Sequence, residues 1–347
     1  MITPRSKLAL LMHGYTASRH AKMGFGLLRY GVSPVVAVVD RECPGQSIEE
    51  VAGLHSHAPI VASVADAAAL GADTLVIAIA TSGGVLPDGY REEILVGLRS
   101  GMSLVNGLHG KYADDHEFAA ALQPGRFIWD LRTEPPDLGS GRGRANDLSC
   151  RRVLTVGTDM AIGKMTASLE LHRSALAAGL RSAFLATGQI GIAISGDGVA
   201  LDAVRVDFAT GAIEALCLRH PDVDVQWVEG QGSILHPGSS AWLGIMRGAQ
   251  PTHLVLVHRA GQQRIDTLEE FPVPPLPEVI AGYEAIAGAN PGFSQPKVVA
   301  VALNCGHLRD DHEGARKACD EVEELTGLPT DDVVRNGASR LLNAVMS

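Results

Sequence analysis

With 347 residues, 46% of them hydrophobic, the chain has the length of two domains and ample material for buried cores. Aromatics make up only 4%, so those cores must be built from Val, Leu, Ile and Ala, as in parallel α/β sheets. The formal net charge of −10 argues against a nucleic-acid or membrane-surface partner, and no apolar run approaches the length that spans a bilayer.

The first residues, MITPRSKLALLMHGYTASRH, hold a short apolar run broken by His13 and Gly14, which reads as a first strand and not as a signal peptide. Strands are expected over residues 8–12, 35–39 and 75–80, the second ending at Asp40 and the third leading into Thr81, Ser82, Gly83 and Gly84. Helices are expected over 22–30, 63–70, 90–100 and 115–122. Strands separated by helices imply a Rossmann-like parallel sheet, whose ligands bind at the carboxyl ends of strands. Gly14, Asp40 and the 82–84 turn then share one rim. Lys22 and Arg29 bracket Gly24 and Gly26, a loose second candidate for an anion-binding strand–loop–helix. Residues 134–150, EPPDLGSGRGRANDLSC, are rich in Pro, Gly and polar groups. They divide the chain into a Rossmann-like domain over 1–135, a linker over 136–150 and a second domain over 151–347.

The second domain opens on an apolar run over 153–156, then a turn from Gly157 to Gly163, then Lys164 and a helical stretch. That order predicts a phosphate-binding P-loop: glycines let backbone N–H groups approach a phosphate, the helix N-terminus adds positive potential, and the lysine neutralises anionic oxygens. The alternative is an ordinary strand-to-helix turn with a surface lysine. Two departures stand out. Five residues separate the glycines where the common pattern has four, and Met165 intervenes before Thr166. One helical step turns about 100°, which moves the Thr166 hydroxyl from where a magnesium ligand belongs. Phosphate binding is therefore the expectation, ahead of ATP hydrolysis. Strands over 182–186, 225–228, 254–257 and 298–303 each lead into a Gly-rich or polar loop, giving a P-loop NTPase-like α/β domain. The Pro-rich stretch 271–277 reads as an irregular excursion of the kind that forms a lid or a dimer contact.

Several side chains could carry chemistry. Glu229 ends the strand over 225–228 and precedes Gly230-Gln231-Gly232, so it suits a metal-holding or proton-accepting carboxylate; a surface acid is the alternative. Asp159 either needs a compensating charge beside phosphate or bonds the loop's own N–H groups. Asp197, with Asp202 and Asp207 downstream, is a candidate base or a turn aspartate. His258 suits proton transfer and Arg259 a carboxylate, with Arg264 and Arg205 as further binders; a structural histidine at 258 or 236 competes equally. His55 with His57, and Cys305 with His307, lack further ligands at metal spacing. The five cysteines contain no Cys-x-x-Cys pair and read as free thiols of a cytoplasmic protein.

The segments AKMGFGLLRYGVSPVVAVVD, SGGVLPDGYREEI, VGTDMAIGKMT, VEGQGSILHPG and LVHRAG, in that order, resemble a two-domain family of Rossmann-like plus P-loop proteins. Some of its members are D-glutamate N-acetyltransferases. The resemblance covers nearly the whole chain. It implies acetyl transfer from acetyl-CoA to the amino group of D-glutamate, with a P-loop that binds CoA phosphates and does not cleave ATP. The family's loop residues fall on Gly157, Thr158, Asp159, Gly163, Lys164 and Thr166, with Met165 between the last two. It assigns no base, so Glu229, Asp197 and His258 stay candidates on their own chemistry, and Arg259 and Arg264 stay candidates for the substrate carboxylates. No metal is expected in that reaction, and a homo-oligomer, a dimer, is expected. Two other readings stay open: an ATP- and Mg²⁺-dependent ligase resembling dethiobiotin synthetase, and a nucleotide- or CoA-binding sensor.

Overall fold

The computed structural model describes residues 2–347, which form two compact units. The first comprises the chain up to Thr133 together with Gln189–Ala203, and the second comprises Glu134–Gly188 and Val204–Ser347.

In the first unit the strands are β1 (Leu8–Leu11), β2 (Val35–Val39), β3 (Ile60–Val61), β4 (Thr74–Ile77), β5 (Ser103–Asn106) and β6 (Ile128–Asp130). They form one parallel sheet in the order β3-β2-β1-β4-β5-β6. Helices run over Lys22–Tyr30, Val64–Ala69, Tyr90–Arg99 and His116–Ala121. The expected helices 63–70 and 115–122 each begin one residue later, because Ser63 and Asp115 are N-caps. Their side chains accept N–H groups of the first turn. The strand expected to reach Ala80 stops at Ile77. Ala78 O instead accepts Gly24 N at 2.9 Å and Ala80 N donates to His20 O at 2.8 Å, which seats the helix Lys22–Tyr30 against that chain. A Cβ on Gly24 would lie 2.4 Å from Met12 Sδ, so this glycine serves close packing and not an anion site. Asp40, at the end of β2, accepts Gly14 N, Thr16 N, Thr16 Oγ1 and Glu42 N. Burial pushes its carboxyl up, yet these bonds outweigh burial and hold it below the ordinary range. Asp40 thus fastens the rim loops to one another. The segment Gln189–Ala203 contributes a helix, Gln189–Ser195, that packs on Lys22–Tyr30. The Gly-rich or polar loop expected after the strand over 182–186 is thus helical from Gln189 onward.

In the second unit the strands are β7 (Arg151–Gly157), β8 (Ser182–Leu185), β9 (Val225–Val228), β10 (His253–Arg259), β11 (Arg264–Ile265), β12 (Leu268–Pro272), β13 (Lys297–Asn304) and β14 (Thr330–Asp331). The main sheet is parallel in the order β14-β13-β10-β7-β9-β8, and β11 with β12 makes a separate hairpin. Val153, Leu171, Trp227, Val255 and Leu341 lie in its buried core, each burial worth roughly 1.5–3 kcal/mol. Residues 136–150, expected as a linker, are counted with this unit. Glu214 fixes them by accepting Arg142 N, Arg144 N and Arg144 Nε at 2.8–2.9 Å. The Pro-rich stretch 271–277 is no irregular excursion. Pro272 ends β12, and the helix Leu276–Ala287 starts with proline in its first turn, where the missing N–H has no intrahelical role.

Candidate active site

β7 delivers Gly157 to the turn, and the helix Lys164–Ala177 leaves it. Gly163 has φ +113°, a conformation that L side chains rarely adopt, and no side chain caps the helix. The first-turn N–H groups, Lys164, Met165 and Thr166 among them, have no intrahelical acceptor and stay available to an anion. Gly157 is needed as well: a Cβ there would meet Ile162 Cδ1 at 2.9 Å and Lys164 Nζ at 3.3 Å. Lys164 is 6% exposed and donates from Nζ to Asp159 O at 2.6 Å, folding back over its own loop. Burial lowers its ammonium to about 8, opposed by the charges of Asp159 and Glu229, so it is cationic at neutral pH.

Long-range contacts hold the turn in place. Asn304, the last residue of β13, donates from Nδ2 to Ile162 O at 2.8 Å. Tyr283, from the helix Leu276–Ala287, donates its hydroxyl to Gly157 O at 2.7 Å and accepts Ile234 N at 3.2 Å. Asp159 accepts Met160 N at 2.6 Å, Gln262 Nε2 at 2.6 Å and Asp266 N at 2.7 Å. Its carboxylate therefore bonds loop N–H groups and ties the turn to the segment before β12. Thr158 is buried, donating N–H to Val257 O and sharing a 2.9 Å bond between Oγ1 and His258 Nδ1. Burial, with Arg259 adding to it, depresses His258 to about 4. The ring is neutral at pH 7 and positions Thr158, a poor setting for the general base proposed at 258.

Glu229 follows β9, the strand paired with β7, and is 3% exposed. Gly230 lets the two strand ends close, since a Cβ on it would fall 1.7 Å from Thr155 O, and its N–H donates to Thr155 Oγ1 at 3.0 Å. The Glu229 carboxylate accepts Thr187 N at 2.9 Å and Gly188 N at 3.2 Å on Oε2, and Gln231 Nε2 at 3.0 Å on Oε1. Burial pushes its carboxyl up to about 7, against those three bonds and the charge of Lys164. A carboxylate poised near neutrality and coupled to the P-loop lysine is equipped to accept a proton.

Other partners hold most of the remaining candidates. Asp197 is exposed, lies in the segment counted with the first unit, and accepts the N–H of Gly198 at 2.8 Å, as turn aspartates do. Arg259, at the end of β10, is one-third exposed and reaches Asp266 at 3.7 Å. Arg264 is exposed and donates to the Glu269 carbonyl within its own hairpin, and Arg205 is paired with Glu134. Asp202 pairs with Arg132, and Asp207 lies in the first turn of the helix Val206–Leu218. His236 accepts Gly238 N at 3.0 Å within its own loop. Cys305 is buried in a cluster with Ala315 and Cys319, while His307 is exposed. His55 and His57 stack edge to face at 5.0 Å, and among the described residues no group of three or more His, Cys, Asp or Glu is arranged for a metal.

A family model described as the P-loop domain of a domain of unknown function, DUF1611, matches residues 139–342, and its companion Rossmann-like domain matches 41–134. A protein of Tritonibacter scottomollicae named D-glutamate N-acetyltransferase is 36% identical over 284 residues, 81% of this chain and 83% of that one. A second of that name, from a Pseudoalteromonas species, is 34% identical over 285 residues, with 81% and 83% covered. The crystal structure of a DUF1611 family protein from Anabaena variabilis ATCC 29413 superposes with a TM-score of 0.94 at 52% identity, covering 99% of each chain.

Proposed function

The chain belongs to the DUF1611 family, and on that premise we propose that it moves the acetyl group of acetyl-CoA to the amino group of D-glutamate, giving N-acetyl-D-glutamate. The observation that carries the mechanism is the buried Glu229 carboxyl, poised near pH 7 beside Lys164. Lys164 and the first-turn N–H groups take the CoA phosphates. The substrate ammonium must lose a proton before it can attack, and Glu229 accepts it. Oε2 is committed to two backbone amides, so Oε1, with one bond from Gln231, is the atom that takes the proton. The freed amine bonds to the thioester carbonyl carbon, and backbone N–H groups steady the oxyanion. The carbon–sulfur bond then breaks. Glu229 returns its proton to the CoA thiolate, and the second amine proton leaves to solvent. Arg259, at the end of β10 and only loosely paired, is better placed than Arg264 to hold a substrate carboxylate.

A thermal-shift screen of acetyl-CoA, CoA, ATP with Mg²⁺, and both glutamate enantiomers tests this reading. A ligand at a hundredfold its Kd stabilises the fold by about 2.7 kcal/mol. Acetyl-CoA and CoA are expected to raise the melting temperature. Stabilisation by ATP and Mg²⁺ alone, with phosphate release, would favour the ligase instead.

A further inference from the structure

The rim of the second unit's sheet continues past the P-loop. Asn304 contacts the loop at Ile162, and the chain then runs through Cys305 and the 3₁₀ turn Gly306–Leu308 into the helix His312–Thr326. That helix and the residues after β14 enclose a cleft of about 500 Å³. Its lining includes His312, Arg316, Cys319, Asp332, Arg335 and Asn336. The volume lies within the ~300–1,000 Å³ of small-molecule clefts.

We infer that this cleft takes the adenosine end of a CoA whose diphosphate rests on the P-loop, an assignment that rests on the acetyl-CoA reading above. The first argument is position. Ligands of open α/β sheets lie along the carboxyl ends of the strands. β13 is two strands from β7 and β14 three, so at ~4.8 Å per strand the strand ends that lead into the cleft lie about 10–14 Å across the sheet from β7. That is the reach of a nucleotide from its diphosphate to its base.

The second argument is chemistry. Arg335 is already committed: it donates to Leu308 O at 2.9 Å, meets His312 Nδ1 at 2.8 Å and lies 3.7 Å from Asp332. Its charge and that of Arg316 are matched by Asp332 and Glu313, so the lining is polar yet formally balanced. Such a lining suits the uncharged adenine ring with its ribose, and the exposed Arg316 can meet the 3′-phosphate that the ribose of CoA carries. Asn336 donates from Nδ2 to Asp331 at 2.6 Å, which leaves its amide oxygen to accept an exocyclic amine. Ala315 and Cys319 supply an apolar floor, and the exposed His312 and Arg316 offer flat groups for stacking.

The test titrates CoA, ADP and 4′-phosphopantetheine into the wild type and into Asn336→Trp, with melting temperature as the folding control. Arg316→Trp, on another wall, serves if the first variant does not fold; both positions are exposed. Filling the cleft should weaken CoA and ADP at least tenfold and leave 4′-phosphopantetheine, which lacks adenosine, unchanged. Unaltered CoA and ADP affinity in a folded variant would overturn the assignment. Should the wild type bind no CoA, the acetyl-CoA reading fails, and the ADP arm decides the cleft alone: weakening in the variant keeps it as an adenosine site, while no ADP binding or no weakening removes it.

Discussion

Replacing Glu229 by Gln should make the protein more stable and nearly inactive at the same time. The carboxyl is held at about 7 where 4.5 is ordinary, so keeping it ionised in the fold costs about 3 kcal/mol. The sign follows from proton counts. Below pH 4.5 both folded and unfolded forms are protonated, and there is no penalty. Between 4.5 and 7 the unfolded chain has released the proton while the folded one keeps it, so stability falls as pH rises, and the full penalty applies above 7. The glutamine side chain keeps the shape and can still accept Thr187 N and Gly188 N, without a charge to bury. That figure already includes the attraction of Lys164, and the new amide nitrogen would face Gln231 Nε2, donor to donor, so about 3 kcal/mol is a ceiling. Urea denaturation of both proteins at pH 4 and pH 8 should give equal midpoints at the low pH and a more stable mutant at the high pH. Turnover should drop by roughly 10²–10⁴, the usual worth of a general base, with acetyl-CoA affinity nearly intact. A fully active mutant, or a stability difference that ignores pH, would refute the reasoning.

Three further outcomes are expected. Lys164→Ala should abolish CoA binding in calorimetry while the fold persists, because a buried ammonium lowered to about 8 does not stabilise the native state at pH 7. Gly230→Ala should destabilise by about 1–3 kcal/mol in a melt, since its Cβ would sit 1.7 Å from Thr155 O and force β7 and β9 apart. His258→Gln should keep the acidic limb of the kcat/KM profile near pH 7, because His258, held at about 4, is not the group that titrates there; a shift of that limb would reinstate the histidine.

The two-sheet α/β plan was legible because most of the long strands are unbroken runs of Val, Leu, Ile and Ala bounded by glycine or polar turns. β5 and β6 were not, since Ser103–Asn106 has two apolar residues and Ile128–Asp130 only three residues in all. The P-loop was readable from local order: strand, Gly157, Gly163, Lys164, helix. The residues that fix its shape were invisible, because Asn304, Tyr283 and Gln262 reach it from 103 to 142 positions away and no local pattern announces such partners. Glu229 was visible as a strand-end acid before a glycine loop, whereas its clamps, Thr187 and Gly188, belong to a different strand end. His258 illustrates the reverse: residue type pointed to proton transfer, and only burial with a Thr158 bond shows a neutral, positioning ring. Nothing in GQIGIAISGDG signals that Gln189–Ala203 is counted with the first unit, for its apolar residues fit any helix face.

The central claim is acetyl transfer by a P-loop that spends no nucleotide. It is tested most directly by incubating the protein with acetyl-labelled acetyl-CoA and either D- or L-glutamate, with a chelator and without ATP, and following labelled N-acetylglutamate together with free CoA thiol by mass spectrometry. The account predicts one labelled product and one thiol per turnover with D-glutamate, and loss of both in Glu229→Gln. No product from either enantiomer until ATP and Mg²⁺ are supplied would contradict it.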